Sequence, residues 1–143
     1  MLVPGGRLAV GLWGHPQRVP MISLALSVAA RMVDLPPPPA GTPTHLWTSG
    51  GDGFAELLAA AGYDDIEVRE TTTSFAMASP EAYAEFIVTM AGPLRRVARS
   101  LPPDGRAALD AALAEAARRF AGSDGPFTLV NETLCVAGRR PPV

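Results

Sequence analysis

The sequence predicts an α/β fold, and three observations carry that expectation. Short runs with strand character, 7–13, 66–75 and 127–137, alternate with segments whose apolar residues recur at helical spacing. The first run carries apolar or small residues on both faces, the pattern of a strand covered by helices in a parallel sheet, which predicts an interior position. The order strand, helix, long loop, helix, strand, two helices, strand, without internal repeat, predicts one domain spanning 1–143.

Each element follows from local chemistry. Pro4-Gly5-Gly6 is a tight turn that releases Arg7-Leu8-Ala9-Val10-Gly11-Leu12-Trp13 as the first strand. Pro20 suits the first turn of a helix running to about Val33, because its missing N–H has no helical partner to lose there. That helix is apolar nearly all round, which predicts burial in a core or under a ligand. Pro36 to Pro39 stop it and favour an extended connector, so 34–53, ending in Gly50-Gly51-Asp52-Gly53, is expected as a loop or lid. Phe54, Leu57, Leu58 and Ala61 form one face of a short helix that Gly62 ends. Ile66 and Val68 then alternate with Glu67 and Arg69, and Thr71-Thr72-Thr73 prolong a rather exposed second strand.

Ser79 is expected to cap the next helix, with Pro80 at its first position and Glu81 complementing the helix dipole. The stripe Tyr83, Phe86, Ile87, Met90, Leu94 and Val97 is expected as core, on a helix kinked at Gly92-Pro93. After Pro102-Pro103-Asp104 a further helix turns Leu109, Ala112, Leu113, Ala116 and Phe120 to the core. Residues 79–121 are thus a helical insertion before the last strand.

Composition narrows the function classes. With 18% charged and 48% hydrophobic residues the chain has the apolar content to fold. The twelve cations are all arginine, dispersed in ones and twos under a net charge of -2, so no basic field exists for a nucleic-acid backbone. Cys135 has no second cysteine to pair with and is expected as a small buried hydrophobe. His15 and His45 fall at no metal-ligand spacing, so no metal is expected. Met21 to Val33 is shorter than the roughly 20 apolar residues a membrane span needs, and no membrane partner is expected. The amino terminus lacks the pattern of a secretory signal, from which a cytoplasmic address is expected.

Leu2-Val3-Pro4-Gly5-Gly6-Arg7-Leu8-Ala9-Val10 resembles the turn and fifth strand of the class I S-adenosylmethionine-dependent methyltransferases. Leu57-Leu58-Ala59-Ala60-Ala61-Gly62-Tyr63-Asp64-Asp65-Ile66-Glu67-Val68 looks like the helix, Ala-Gly-aromatic turn and sixth strand of that family. Leu134-Cys135-Val136-Ala137-Gly138-Arg139-Arg140-Pro141 is similar to its final, antiparallel strand. The insertion before that strand matches the ubiquinone/menaquinone-type, methyltransferase type 11-like branch.

The resemblance implies a partial class I, Rossmann-like sheet with strands five, seven and six side by side. It implies S-adenosylmethionine as cofactor and a small, apolar acceptor as substrate. The family's glycine-rich loop and ribose-binding acid have no counterpart in these residues. The chain therefore resembles the carboxy-terminal, substrate-side half of the fold, with the amino-terminal cofactor-binding half absent, and is expected to be catalytically incomplete as this polypeptide. Without the family's fourth strand beside it, strand 7–13 would be an open edge, so a homodimer or a partner chain covering it is expected.

In complete members the substrate lies over the carboxyl ends of the strands. Trp13 and His15 fall just past the end of the first strand and are candidate substrate-binding residues, with Trp47, beside His45 and Leu46, as a third from the lid. His15 suits either a general base or a structural turn. Trp13 suits packing or stacking on a ring. Arg95, Arg96 and Arg99 are expected as a solvated face. Catalytic residues stay unassigned, because no nucleophile, base and orienting group recur at close spacing. The alternative to an enzyme portion is a non-catalytic binding or oligomerisation module derived from the same fold.

Overall fold

The Val3–Gly6 turn closes with Gly6 N–H donating to Val3 O at 2.9 Å, and Gly5 takes φ +74°. Proline at the second position and a left-handed third residue are the requirements of a type II turn, which glycine meets without strain. The computed structural model describes residues 2–32 and 50–142. From the turn runs β1 (Arg7–Trp13), followed by a 3₁₀ turn at Pro16–Arg18 and α1 (Pro20–Met32). Then come α2 (Gly50–Ala60), β2 (Asp64–Met77), α3 (Pro80–Met90), α4 (Gly92–Ser100), α5 (Pro103–Ala121) and β3 (Phe127–Arg139).

The three strands form one sheet of order β1-β3-β2, with β3 antiparallel to β1. The chain is thus mixed α/β with a small three-stranded antiparallel sheet, whose strand order does not match the class I sheet expected. The parallel, interior setting expected for β1 does not form. Its strand partner is antiparallel β3, it lies at the sheet edge, and none of its residues is buried. Leu8, Val10 and Leu12 are half-buried opposite Gly138, Val136 and Leu134, whereas Arg7, Ala9 and Gly11 are exposed opposite Arg139, Ala137 and Cys135. The small residues at 9 and 11, which left both faces apolar in the sequence, lie on the open face. Cys135 shares that face and is exposed, which corrects its expected burial: strand parity, not the apolar character of its neighbours, decides its side.

The contacts divide the described residues into two units. The first comprises 2–19, 50–73 and 131–142. In it α2 includes Gly50–Gly53, so the carboxyl end of the expected lid is helical. The remainder of that lid, 34–49 with His45, Leu46 and Trp47, lies outside the described residues. α2 ends in a Schellman motif: Tyr63 N–H donates to Leu58 O, Gly62 N–H to Ala59 O, and Gly62 takes φ +82°. Leu58, Tyr63 and Ile66 approach the bare Cα of Gly138 closely enough that a Cβ there would lie 3.5–3.7 Å from them. Leu134 and Val136 complete the buried side.

The second unit comprises 20–32 and 74–130, with α3 packed chiefly on α5 and α1 against the same helix. Met21, Ala25, Val28, Tyr83, Ile87, Leu109, Leu113 and Leu129 are among its buried residues. Tyr83 is fully buried and its hydroxyl donates to Met21 O at 2.8 Å. Desolvation pushes its phenol pKa far above the usual tyrosine value. Ser79 caps α3 as expected, accepting from Ala82 N–H at 3.2 Å.

Several expectations need correction here. Instead of one kinked helix there are two, because Ala91 is extended and ends α3 before Pro93 starts α4. Met90, in the last turn before that break, is 47% exposed rather than core. The buried side of α5 is Leu109, Leu113, Ala114 and Ala117, and Phe120 is exposed. α1 is buried at Met21, Ile22, Ala25, Val28 and Ala29 but exposes Leu26 and Met32, so it is one-sided rather than buried all round. Arg95, Arg96 and Arg99 are exposed, the solvated face expected.

Candidate functional site

The candidate residues gather at the carboxyl end of β1, within the first unit. Trp13 is the last residue of the strand, opposite Thr133, and is half-buried. Gly14 continues the pairing, its N–H donating to Glu132 O at 3.0 Å. The Glu132 side chain folds back over this turn. Its Oε1 accepts His15 N–H at 3.1 Å, and its Oε2 accepts from Arg18 at 2.6 Å.

Glu132 comes so close that a Cβ on Gly14 would lie 2.1 Å from Oε1. Only glycine leaves room for this clasp. The Arg18 guanidinium, with the His15 N–H adding to it against the opposing cost of partial burial, holds the Glu132 carboxyl below the usual range. Arg18 is pushed the other way, chiefly by its hydrogen bond to Glu132, with Glu70 contributing.

His15 is the N-cap of the 3₁₀ turn, and its Nδ1 accepts Gln17 N–H at 3.3 Å. In this arrangement His15 serves the turn through its ring nitrogen. Behind the clasp, Asn131 is fully buried and its Nδ2 donates to Thr73 O at 3.3 Å. Thr73 and Thr133 hydroxyls lie 2.9 Å apart.

Trp13 and His15 thus both stand at the carboxyl end of β1, while Trp47 lies outside the described residues. Sequence reasoning missed Glu132 and Arg18. One signal was present: Asn131-Glu132-Thr133 is a polar interruption of an apolar strand. In β3 the buried side chains are odd-numbered up to Asn131 and even-numbered from Leu134, so the interruption marks a change of buried face. Among the described residues no group of three or more His, Cys, Asp or Glu could hold a metal ion, and no helix is long and apolar enough to cross a membrane.

Neither a family model nor a curated protein matches the chain. Among solved structures, it is similar to a phosphoethanolamine N-methyltransferase 2 from Haemonchus contortus, solved with phosphomonomethylethanolamine and S-adenosylhomocysteine. The identity is 14% and the TM-score 0.36, over 96% of this chain and 27% of that one. The chain therefore spans about a quarter of that protein's length.

Proposed function

We propose that this chain forms the acceptor-side part of an S-adenosylmethionine-dependent methyltransferase of the ubiquinone/menaquinone-type branch, acting on a small apolar acceptor. By itself it is catalytically incomplete, and the methyl donor is bound by elements outside these residues. What supports this is the pair of turns that carry the family resemblance, with Pro-Gly-Gly feeding β1 and the Ala-Gly-Tyr Schellman turn feeding β2. Methyl transfer is an in-line displacement that rests on holding acceptor and donor in near-attack geometry, so it needs no triad. In that role Trp13 supplies an apolar wall, and Glu132 and Gly14 hold the turn that carries it.

The test is calorimetric titration of the folded chain with S-adenosylhomocysteine, alone and after extension into any upstream coding sequence that encodes a glycine-rich strand-loop-helix unit. Binding by the extended form only is the expected result. Micromolar binding by these residues alone overturns the incompleteness, and no binding by either form overturns the methyltransferase assignment.

A second function, a non-catalytic oligomerisation module, is favoured by the edge position of β1. A two-fold antiparallel pairing centred on Val10 would set Leu8 against Leu12 and Arg7 against Trp13 of a second copy, with no like charges opposed. Light scattering is expected to give a dimer that Val10→Lys converts to monomer. A wild-type monomer at high concentration sinks this second function.

A further inference from the structure

The open face of the sheet in the first unit carries a feature that methyl transfer does not use. Arg7 and Arg139 are direct cross-strand partners, so their side chains emerge on one face. Like charges placed opposite one another weaken an antiparallel pair. The nearest carboxylate, Asp65, stands 3.9 Å from Arg139 Nη1, beyond hydrogen-bond length, and Arg139 Nε is buried with no hydrogen-bond partner. Glu67, the other acid here, is engaged by Arg69 at 3.2 Å. A cavity of about 340 Å³ lies at this arginine pair. A second, of about 350 Å³, continues from it along the strands over Ala9, Gly11 and Cys135, sharing Glu67 and Ala137 with the first. Three arginines against two carboxylates line the two together.

We propose that this trough binds an amphiphilic anion: an oxyanion head between Arg7 and Arg139, and a short aliphatic body along the small-residue floor of Ala9, Gly11 and Cys135. The head supplies what the arginine pair lacks, since one oxyanion can accept from the terminal nitrogens of both guanidiniums. The floor suits the body because Ala9, Gly11 and Ala137 leave the sheet surface bare. A Cβ at Gly11 would meet no atom within 4 Å, so the space above it is open. Phosphate-headed and carboxylate-headed chains share this chemistry, and the test separates them.

Calorimetric titration of the 143-residue chain would use octyl phosphate, octanoate and inorganic phosphate, each below any micelle concentration. Saturable one-to-one binding is expected for at least one of the eight-carbon ligands, tighter than inorganic phosphate, and the stronger of the two names the head. Arg139→Gln and Arg7→Gln are each expected to weaken it by about tenfold or more, as loss of one charge-assisted contact requires. Gly11→Val, which fits a strand and fills the trough, should weaken octyl phosphate while leaving inorganic phosphate unchanged. Arg95→Gln, on α4, should change nothing. If the arginine variants fail to fold by circular dichroism, Gly11→Val still decides.

The proposal is overturned by the absence of saturable binding. It is equally overturned by binding that Gly11→Val leaves intact, by binding that Arg95→Gln lowers as much as Arg139→Gln, or by a dimer that covers the face and excludes all three ligands.

Discussion

Gly14→Ala tests the clasp at the end of β1 most directly. The new methyl would lie 2.1 Å from Glu132 Oε1, 2.6 Å from its Cγ and 2.7 Å from its Cδ, so the carboxylate must swing away. The backbone has no objection, since the φ of Gly14 is outside the left-handed region. The cost is therefore what Glu132 gives up. Its bond from His15 N–H involves an ionised acceptor whose side chain is only 14% exposed, and such bonds contribute roughly 1.5–3 kcal/mol. The Arg18 bridge adds little, because that guanidinium is 67% exposed and screened. Replacing glycine by alanine also restricts the unfolded chain, which returns about 0.4–1 kcal/mol.

The net expectation is a loss of about 1–2 kcal/mol, or roughly 3–8 °C in melting temperature for a chain of this size. In a Glu132→Ala background the clash and the bond are both gone, and the same substitution should be neutral or stabilising. Urea unfolding followed by circular dichroism, on the four proteins of the cycle, reads this change of sign. An equal cost of Gly14→Ala in both backgrounds would refute the clasp.

Three further outcomes are expected. The Glu132 carboxyl is held down in the folded chain, so its contribution is complete above the unfolded value near pH ~4.3 and is lost as pH falls through the folded value; Glu132→Gln should shrink the stability difference between pH 7 and pH 3 measured by denaturant titration. Gly62→Ala forces a side chain into φ +82° and should cost about 1–2 kcal/mol by thermal melting, whereas Ala61→Ser, one residue earlier, should cost less than half of that. Tyr83→Phe should cost about 1–2 kcal/mol by removing the bond to Met21 O; with Tyr63 changed to Phe, ultraviolet titration should show no phenolate near pH ~10 while the chain stays folded.

Where a rule acts within a few residues, the sequence was enough. Pro4-Gly5-Gly6, Gly62 and Ser79-Pro80 each set their turn or cap through their own dihedral limits and side-chain oxygens, and β1, α2 and α3 start or stop there. Where the deciding neighbour is remote, it was not. Glu132 meets His15 across 117 positions, and neither residue carries a local mark of the other. In α5 a run of alanines fits several faces equally well, so the stripe chosen through Phe120 missed the one that α3 and α1 select, Leu109, Leu113, Ala114 and Ala117. Cys135 was misplaced because its neighbours Leu134 and Val136 face the other way along an alternating strand.

Arg118, near the end of α5, bonds Glu115 on its own helix at 2.9 Å, Glu81 in the first turn of α3 at 2.7 Å, and Asp124 in the turn beyond Gly122. Such partly exposed pairs add little to stability. What they impose is a ruler. The turn from Gly122 to Gly125 has to return Asp124 to a guanidinium already engaged by a helix start some forty positions earlier. Adding a residue to that turn would therefore move Asp124 out of reach, and drift at positions 81, 115 and 124 is constrained jointly by the one side chain they share.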